Sequence, residues 1–399
     1  MRATRLVVPL LCSAGLMASA CSSSSSDTAT AAGSGSPTTG TAGTATGTGA
    51  TPARSNLAFP GTDWETLDPA AAGFDAAKLA TLATKAEAGK SNCMLVAKNG
   101  KIVGEWYFNG AAPTTRQEVW SATKSYTSTL VGIAQADGNL SINEPASKYI
   151  TEWANTDSNP VTIRNLLSND SGRYYDFGTD YIKMAAGATN KTQFAIELGQ
   201  GPEPGTEWIY NNSAIQTLDR VLQTATGQST ADYATTKLLA PIGMRDSAMG
   251  KDPSGNTLAF MGLQSTCRDM ARFGHLMLSK GSWNGSQVVP ADWVRQATSP
   301  SQKLNEAYGY LWWLNAKGNG MSAQQATTGG SAPTEKTRQM VPGAPDDAFF
   351  ALGLGDQVIS ILPSEGIVAV RLGPGRVPEG TPDFGVGKLT LGVLEARNP

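Results

Sequence analysis

Ser121 and Lys124 have the residue types and the spacing of a nucleophile and its base, in the run Ser121-Ala122-Thr123-Lys124. Residues three apart lie on the same face of a helix, and the positive end of the helix dipole favours negative charge in the first turn. Serine is a poor nucleophile until a base takes its proton, which a lysine can do once its pKa is lowered. The alternative is a helix start with a solvated lysine. Apolar residues at 119–120 and 130–134 instead predict a buried helix that begins in a cleft.

A second candidate element is Tyr210-Asn211-Asn212. A phenol that is hydrogen-bonded to a lysine ammonium can relay a proton, first as a base and then as an acid. The Asn212 amide can orient the lysine and hold a substrate carbonyl. The alternative for Tyr210 is a core tyrosine. Tyr107-Phe108-Asn109 has the same pattern but precedes the serine in a predicted hairpin.

The composition excludes several classes of protein. Its 399 residues carry a net charge of −2 and 16% charged residues, which gives no electrostatic basis for nucleic-acid binding. The one histidine, His275, excludes a zinc site that needs two or more, and a Ser-His-Asp triad would have to use it. The length suits one large two-lobed domain or two ordinary ones. No stretch after the N-terminal segment has 18 consecutive apolar residues, so we expect no transmembrane helix.

The first 20 residues are predicted to be a signal peptide. Arg2 and Arg5 precede a short apolar run at 6–17, and Ala18-Ser19-Ala20 leads to Cys21. This end resembles a bacterial lipoprotein signal, which would leave Cys21 lipidated. The alternative is ordinary cleavage, which gives a soluble secreted or periplasmic protein. Residues 21–55, almost all Ser, Thr, Ala, Gly and Pro, are predicted to be a disordered linker. We therefore expect an extracytoplasmic protein whose membrane contact is through the lipid anchor only.

Two cysteines, Cys93 and Cys267, remain in the predicted folded part, 56–399. An exported compartment permits a disulfide between them. Their positions in the sequence do not establish that they meet, and two buried free thiols are the alternative.

Strand-like segments lie near both ends of the folded part, and helical patterns fill its middle. The predicted strands are 93–97, 102–108, 348–354, 357–362 and 367–372, and the predicted helices are 75–88, one from Ser121, 161–167, 192–198, 213–226, 265–278 and 388–396. Asn99-Gly100 predicts a tight hairpin between the first two strands. This order predicts an α/β (α+β) fold, with one sheet from about 56–118 and 255–399 and a helical lobe at about 125–250.

These motifs and their neighbours resemble the penicillin-recognising serine hydrolases of the class C β-lactamase-like family. That family includes D,D-peptidases, β-lactamases, family VIII esterases and 6-aminohexanoate-dimer hydrolases, and the chain looks most like the last two. The resemblance spans essentially all of 56–399 and rests on six blocks: V-W-S-A-T-K at 119–124, D-G-N-L at 137–140, R-N-L-L-S-N-D-S-G at 164–172, P-G-T-E-W-I-Y-N-N at 204–212, S-T-C-R-D-M-A-R-F-G at 265–274 and Y-G-Y-L-W-W at 308–313.

The resemblance implies a β-lactamase/D,D-peptidase-like fold, an antiparallel sheet flanked by helices with an inserted all-helical lobe. It implies Ser121 as the acylated nucleophile and Lys124 with Tyr210 as the general-base pair. The family places no catalytic histidine at the position of His275, so that residue is expected to be structural. No cofactor and no metal are implied.

The sequence departs from the family at its third motif, usually K-T-G or H-x-G on the strand beside the serine. Gly353-Leu354-Gly355 aligns there, and it has no cation to bind a β-lactam or peptide carboxylate. Glycines in a strand still let a substrate approach closely, so Gly353 and Gly355 are predicted substrate contacts. The backbone N–H groups of Ser121 and Leu354 are the predicted oxyanion hole. The departure favours esters or neutral amides.

Other substrate contacts are predicted from position. Tyr175 resembles a tyrosine that closes over substrate in the 6-aminohexanoate-dimer hydrolases, with a surface aromatic as the alternative. Trp312 and Trp313 are predicted to line the cleft, with core packing as the alternative for one of them. Asp176 and Asp180 are expected to be solvated loop charges.

The sequence therefore predicts an exported serine hydrolase that cleaves carboxylic esters or linear amides through a Ser121 acyl-enzyme. The alternatives are a β-lactamase or penicillin-binding D,D-peptidase, and a non-catalytic surface binding module of the same fold. The expected partner is a small ester or amide substrate, with no nucleic acid and no obligate protein partner.

Overall fold

The computed structural model describes residues 57–320 and 339–398. The chain divides into two units, Met1–Gly49 and Ala50–Pro399, and every described residue belongs to the second. The predicted signal peptide, the lipidation site at Cys21 and the linker at 21–55 lie outside the described residues.

The N-terminal part supplies one helix and the first strands. The elements are α1 (Ala76–Ala88), β1 (Cys93–Lys98), β2 (Lys101–Tyr107) and β3 (Gln117–Glu118). Between β1 and β2, Asn99 has φ 49° and Gly100 has φ 83°. Two successive left-handed residues make the two-residue hairpin whose twist suits antiparallel strands, as the Asn-Gly pair predicted.

The middle of the described chain is mainly helical, and it places most of the candidate site residues. Its elements are the 3-10 turn Trp120–Ala122, α2 (Thr123–Ala136), the 3-10 turns Ala146–Lys148 and Thr151–Trp153, α3 (Ile163–Ser168), the π-helical segment Gly178–Gly187, α4 (Lys191–Glu197), α5 (Asn212–Gln216), α6 (Leu218–Thr226), α7 (Thr230–Ala234), the π-helical turn Thr235–Leu239, β4 (Gln264–Ser265) and α8 (Cys267–Leu278). The single helix predicted at 213–226 is two helices, separated at Thr217.

The C-terminal part completes the sheet. Its elements are β5 (Ser282–Trp283), β6 (Ser286–Gln287), α9 (Ala291–Ala297), β7 (Trp313–Leu314), β8 (Phe349–Gly353), β9 (Gln357–Leu362), the 3-10 turn Pro363–Glu365, β10 (Ile367–Leu372) and α10 (Val386–Glu395). The main sheet has the strand order β2-β1-β10-β9-β8-β7, and each pair is antiparallel. Strands from both ends of the chain thus form one sheet, which confirms the predicted fold class.

Helices cover both faces of this sheet. Neighbouring residues of β9 point to opposite faces: a Cβ on Gly274 of α8 would lie 2.9 Å from Ile359, while Ser360 bonds to Thr390 of α10 at 2.9 Å. Every residue of β9 and β10 is buried. Strands covered on both faces have continuous apolar sequences, which explains why these two strands were recognisable from the sequence.

Helix α2 runs through the interior, and the nucleophile motif begins just before it. Every residue from Thr123 to Ala134 is buried. Two of its buried hydroxyls find carbonyl acceptors: Ser125 Oγ donates to Leu311 O at 2.9 Å and Thr127 Oγ1 donates to Ala259 O at 2.7 Å. These bonds remove the cost of burying polar groups, so the helix is fixed on all sides and the turn before it is held in place.

The structure joins Cys93 of β1 to Cys267 of α8 in a disulfide. None of the helices within the described residues is long and apolar enough to span a membrane.

Candidate active site

Ser121 and Lys124 lie together at the start of the central helix. Lys124 Nζ is 2.8 Å from Ser121 Oγ and 2.9 Å from the carbonyl oxygen of Phe260. Ser121 lies in a 3-10 turn and is partly exposed, whereas Lys124 is 1% exposed. Trp120, directly before the serine, has φ 48°. This left-handed residue turns the chain sharply before the helix and leaves the serine at the edge of the interior.

Burial lowers the pKa of Lys124 to about 7, and the negative charge of Asp180 acts in the opposite direction. Removing an ammonium from water disfavours its charged form. Near neutral pH a large fraction of the amine is therefore unprotonated, and it can accept the Ser121 proton across a hydrogen bond that already exists.

Tyr210 is the third group at the nucleophile. Its ring centroid lies 4.8 Å from Lys124 Nζ. Burial raises the pKa of Tyr210 well above its ordinary value, the field of Asp180 adds to this, and an interaction with the Ser121 side chain opposes it. The phenol is therefore protonated at neutral pH. The Trp313 ring stacks on it, with centroids 5.8 Å apart, and fixes its orientation.

Asn212 was predicted to orient the lysine and to hold a substrate carbonyl. In the structure it is buried, and its Nδ2 donates to Asp180 Oδ2 at 2.8 Å. The hydrogen bond that the structure shows for this amide is therefore with a carboxylate, and its contact with substrate stays a prediction.

Asp180 is a residue that sequence reasoning placed wrongly. Instead of a solvated loop charge, it is 1% exposed, and its two oxygens accept hydrogen bonds from Asn212 and Ser213. The sequence carried one indirect signal. The first N–H groups of a helix need acceptors, and the helix after Tyr210 begins at Asn212.

The predicted oxyanion turn, Gly353-Leu354-Gly355, lies beside the nucleophile. A Cβ at Gly353 would collide with the carbonyl oxygen of Val119, and one at Gly355, where φ is 75°, would collide with Pro374 O. Glycine is therefore needed at both positions. Because Gly353 has no side chain, the end of β8 can lie directly against Val119, two residues before Ser121. Leu354 itself is 60% exposed. The oxyanion role of the Ser121 and Leu354 N–H groups stays a prediction that this arrangement allows.

Two residues that the sequence analysis did not single out hold this turn. Arg371 of β10 is 1% exposed, and its Nη1 donates to Gly355 O at 2.6 Å and Asp356 O at 2.7 Å. Gln357 Nε2 donates to Leu354 O at 3.0 Å. An arginine inside an otherwise apolar strand was the available signal, since a buried guanidinium needs several acceptors.

The aromatic contacts predicted for substrate have different outcomes. Tyr175 is partly buried, and its pKa is raised to about 12 by burial and by the fields of Asp180 and Asp176. Its contact with substrate stays a prediction. For Trp312 the core-packing alternative holds and the predicted place in the cleft does not, because it is 0% exposed and packs against Phe273 and Phe349. Its neighbour Trp313 is the residue that stacks on Tyr210.

His275 lies away from these groups and is buried against Phe59 and Trp283, with ring centroids 5.1 and 5.8 Å away. Burial lowers its pKa to about 4, so the ring is neutral at neutral pH. Within 57–320 and 339–398, no group of three or more His, Cys, Asp or Glu side chains could hold a metal ion.

Comparison with known proteins gives one family. The family model described as beta-lactamase matches residues 82–383. The chain is 24% identical to the 6-aminohexanoate-dimer hydrolase of Paenarthrobacter ureafaciens over 275 residues, which is 61% of this chain and 70% of that protein.

Two solved structures show the same fold. A family VIII carboxylesterase superposes with a TM-score of 0.58 at 16% identity, covering 81% of this chain and 99% of the other. The octameric penicillin-binding protein homologue from Pyrococcus abyssi superposes with a TM-score of 0.58 at 19% identity, covering 81% and 78%.

Proposed function

Because the chain belongs to the beta-lactamase family and is a serine hydrolase, we propose that it cleaves carboxylic esters, and less readily linear amides, through an acyl-enzyme on Ser121. One observation carries this proposal: Ser121 Oγ lies 2.8 Å from the amine of the buried Lys124, and that amine lies 4.8 Å from the ring centroid of the buried Tyr210. A nucleophile and its base within about 3 Å are the recurring geometry of covalent catalysis by serine.

In the proposed acylation step, the neutral amine of Lys124 takes the Ser121 proton while Oγ bonds to the substrate carbonyl carbon. The carbonyl electron pair moves onto oxygen, and the N–H groups of Ser121 and Leu354 stabilise the resulting oxyanion. Since burial lowers the pKa of Lys124 to about 7, the amine form is available without a strongly basic medium.

Tyr210 has the complementary role. Burial raises its pKa, so the phenol keeps its proton and can donate it to the departing alkoxide or amine. The Lys124 ammonium then returns a proton to Tyr210, and the serine proton has in effect moved to the leaving group. Water enters where the leaving group was, and the same pair activates it to release the acid.

Two features beside the serine support uncharged, partly apolar substrates. The exposed large hydrophobic side chains among the described residues are Tyr174, Phe177, Ile182 and Leu354. Leu354 follows the strand that packs against the nucleophile turn, Tyr174 and Phe177 precede the segment that carries Asp180, and Ile182 lies within that segment. The cation nearest the turn, Arg371, is buried and bound to backbone carbonyls, so it is not available to a substrate carboxylate.

The test compares the purified protein with Ser121→Ala and Ser128→Ala, using a fluorophosphonate probe, p-nitrophenyl butyrate and nitrocefin. Ser128 is a buried serine of the same helix and serves as the matched control. We expect labelling and ester turnover in the wild type and in Ser128→Ala, and neither in Ser121→Ala. Substantial residual turnover without Ser121 would refute the mechanism.

The same experiment separates the alternatives. Nitrocefin turnover above ester turnover would favour a β-lactamase, and stable acylation by penicillin without release would favour a penicillin-binding D,D-peptidase. A folded wild type that neither labels nor turns over any substrate would favour a binding module.

We also propose that the enzyme is exported and lipid-anchored through Cys21, with a secreted or periplasmic protein as the alternative. The signal-like sequence at 1–20 supports export, and so does the Cys93–Cys267 disulfide, since disulfides persist mainly in oxidising compartments. We expect the wild type in the membrane fraction with a diacylated N-terminus, and Cys21→Ala in the soluble or secreted fraction. An unmodified wild-type N-terminus would refute the lipid anchor.

A further inference from the structure

Asp180 is a buried carboxylate close to the proposed base pair. It lies in the π-helical segment Gly178–Gly187 and accepts four hydrogen bonds. Oδ2 accepts from Asn212 Nδ2 at 2.8 Å and Asn212 N at 3.2 Å, and Oδ1 accepts from Ser213 N at 2.7 Å and Ser213 Oγ at 2.6 Å. Two acceptor oxygens that each take two donors are the arrangement of an ionised carboxylate.

The donors belong to the segment that carries Tyr210. Asn212 and Ser213 form the first turn of α5, two and three residues after the tyrosine. Asn211, which lies between Tyr210 and this turn, also fixes the segment: its Nδ2 donates to the carbonyl oxygens of Arg173 and Tyr174. The position of Tyr210 therefore depends on hydrogen bonds to the Asp180 carboxylate and to the carbonyl oxygens of Arg173 and Tyr174.

The charge of Asp180 also reaches the base. The described groups around Lys124 Nζ are the Ser121 hydroxyl, the Phe260 carbonyl, and the rings of Tyr210 and Phe260. None of these four carries a charge at neutral pH. Among the described residues, Asp180 is the charged group whose field acts on Lys124. Its negative charge raises the pKa of that lysine, whereas burial lowers it.

We propose that Asp180 is a positioning residue for the Lys124–Tyr210 pair: it holds Tyr210 at Ser121 and stabilises the ammonium that Lys124 becomes when it takes the serine proton. The inference rests on the proposed function. Its physical basis is that a fixed charge in a water-excluded site stabilises a charge that develops during reaction. An isolated buried lysine would accept the proton with more difficulty.

The test is Asp180→Asn in the full-length protein. We measure kcat and KM for p-nitrophenyl butyrate between about pH 5 and pH 10, per site titrated with fluorophosphonate. The asparagine removes the charge and presents an amide N–H group to one pair of donors. We expect kcat to fall by about tenfold or more with little change in KM. We also expect the acid limb of the profile, the fall of kcat at low pH, to move to lower pH by roughly half a unit. The reason is that the negative charge of Asp180, which favours the protonated form of Lys124, is gone.

The matched control is Asp219→Asn. Asp219 is equally buried and accepts from Thr192 Oγ1 at 3.0 Å and Thr230 Oγ1 at 2.7 Å, in helices away from Ser121. Its loss should lower stability but leave the pH profile per titrated site unchanged. A shift of the acid limb in Asp180→Asn but not in Asp219→Asn supports the proposal. The same rate loss in both variants, with no shift in either, overturns it.

Ser213→Ala keeps the charge and removes one bond to Asp180. We expect kcat to fall a few-fold while the acid limb stays in place. If Asp180→Asn does not fold, this variant decides, and an unchanged kcat overturns the positioning role. A wild type that neither labels nor hydrolyses would refute the proposed function, and this inference with it. An active wild type with an unaltered Asp180→Asn profile refutes this inference alone.

Discussion

Arg371→Lys tests whether the turn beside the nucleophile depends on a guanidinium in the sheet. Arg371 makes four hydrogen bonds through three nitrogens. Nη1 donates to Gly355 O at 2.6 Å and Asp356 O at 2.7 Å, Nη2 to Gly89 O at 2.9 Å, and Nε to Ser91 Oγ at 2.9 Å. The acceptors lie on different sides of a planar fork that a lysine ammonium does not have.

A lysine at 371 can place its one nitrogen where only one of the three bonding nitrogens of Arg371 lies, so the acceptors of the other two, at least two of the four, lose their donor. A buried polar group without a partner costs about 1–3 kcal/mol, and two such losses give about 2–6 kcal/mol. We expect a value near the lower half of this range, about 3 kcal/mol, because the ammonium retains part of the bonding. If the turn loosens, Leu354 N–H also moves. Loss of one oxyanion donor costs about a hundredfold or more in kcat, so partial misalignment should cost between about tenfold and hundredfold in kcat/KM.

The assays are urea unfolding and ester hydrolysis at one pH, with Arg295→Lys as the control. Arg295 belongs to an exposed ion pair with Asp292. Such pairs contribute about 0–1 kcal/mol, so this variant should change neither stability nor activity much. If Arg371→Lys lost less than about 1 kcal/mol and kept full kcat/KM, the argument that this arginine holds the turn would be wrong.

Three further predictions follow from the site and the disulfide. Because burial lowers the pKa of Lys124 to about 7 and the neutral amine is the base, wild-type kcat/KM should fall about tenfold per pH unit below pH 7; a profile flat down to pH 5 would contradict this role. Gly353→Ala should abolish ester turnover, since its Cβ would collide with Val119 O, and circular dichroism should show a folded protein; retained activity would mean that β8 can move. Reduction of the Cys93–Cys267 disulfide should lower the free energy of unfolding by about 2–5 kcal/mol, and identical urea midpoints with and without reductant would count against a structural role.

The sequence was sufficient for the sheet and for the nucleophile motif, because both depend on local patterns. Strands β9 and β10 are mostly apolar and rich in β-branched residues, and the Asn99-Gly100 turn leaves few alternatives for the hairpin. Ser121 and Lys124 are three residues apart, so helix geometry alone brings them together.

The remaining errors concern contacts between distant segments. Asp180 looked like a loop charge because its four donors come from residues 212 and 213, and no local rule connects them. Trp312 and Trp313 are adjacent, and the sequence did not decide which faces the core. Trp312 directly precedes β7 and Trp313 is its first residue, so only the packing of distant segments around them separates Trp312 on Phe273 from Trp313 on Tyr210.

Because β1 pairs with β10, the main sheet cannot form completely until both of these distant segments have been synthesised. Cys93 lies opposite Leu372 in the sheet, and its disulfide partner is 174 residues further along the chain. A chain delivered from its N-terminus, by a ribosome or through a translocation channel, presents β1 long before its central neighbour exists. The sheet therefore closes only after almost the whole chain has emerged, and such non-local pairing is slow. The Cys93–Cys267 bond likewise has to wait until residue 267 is present, so the N-terminal hairpin acquires its covalent link only after the central helices have been made.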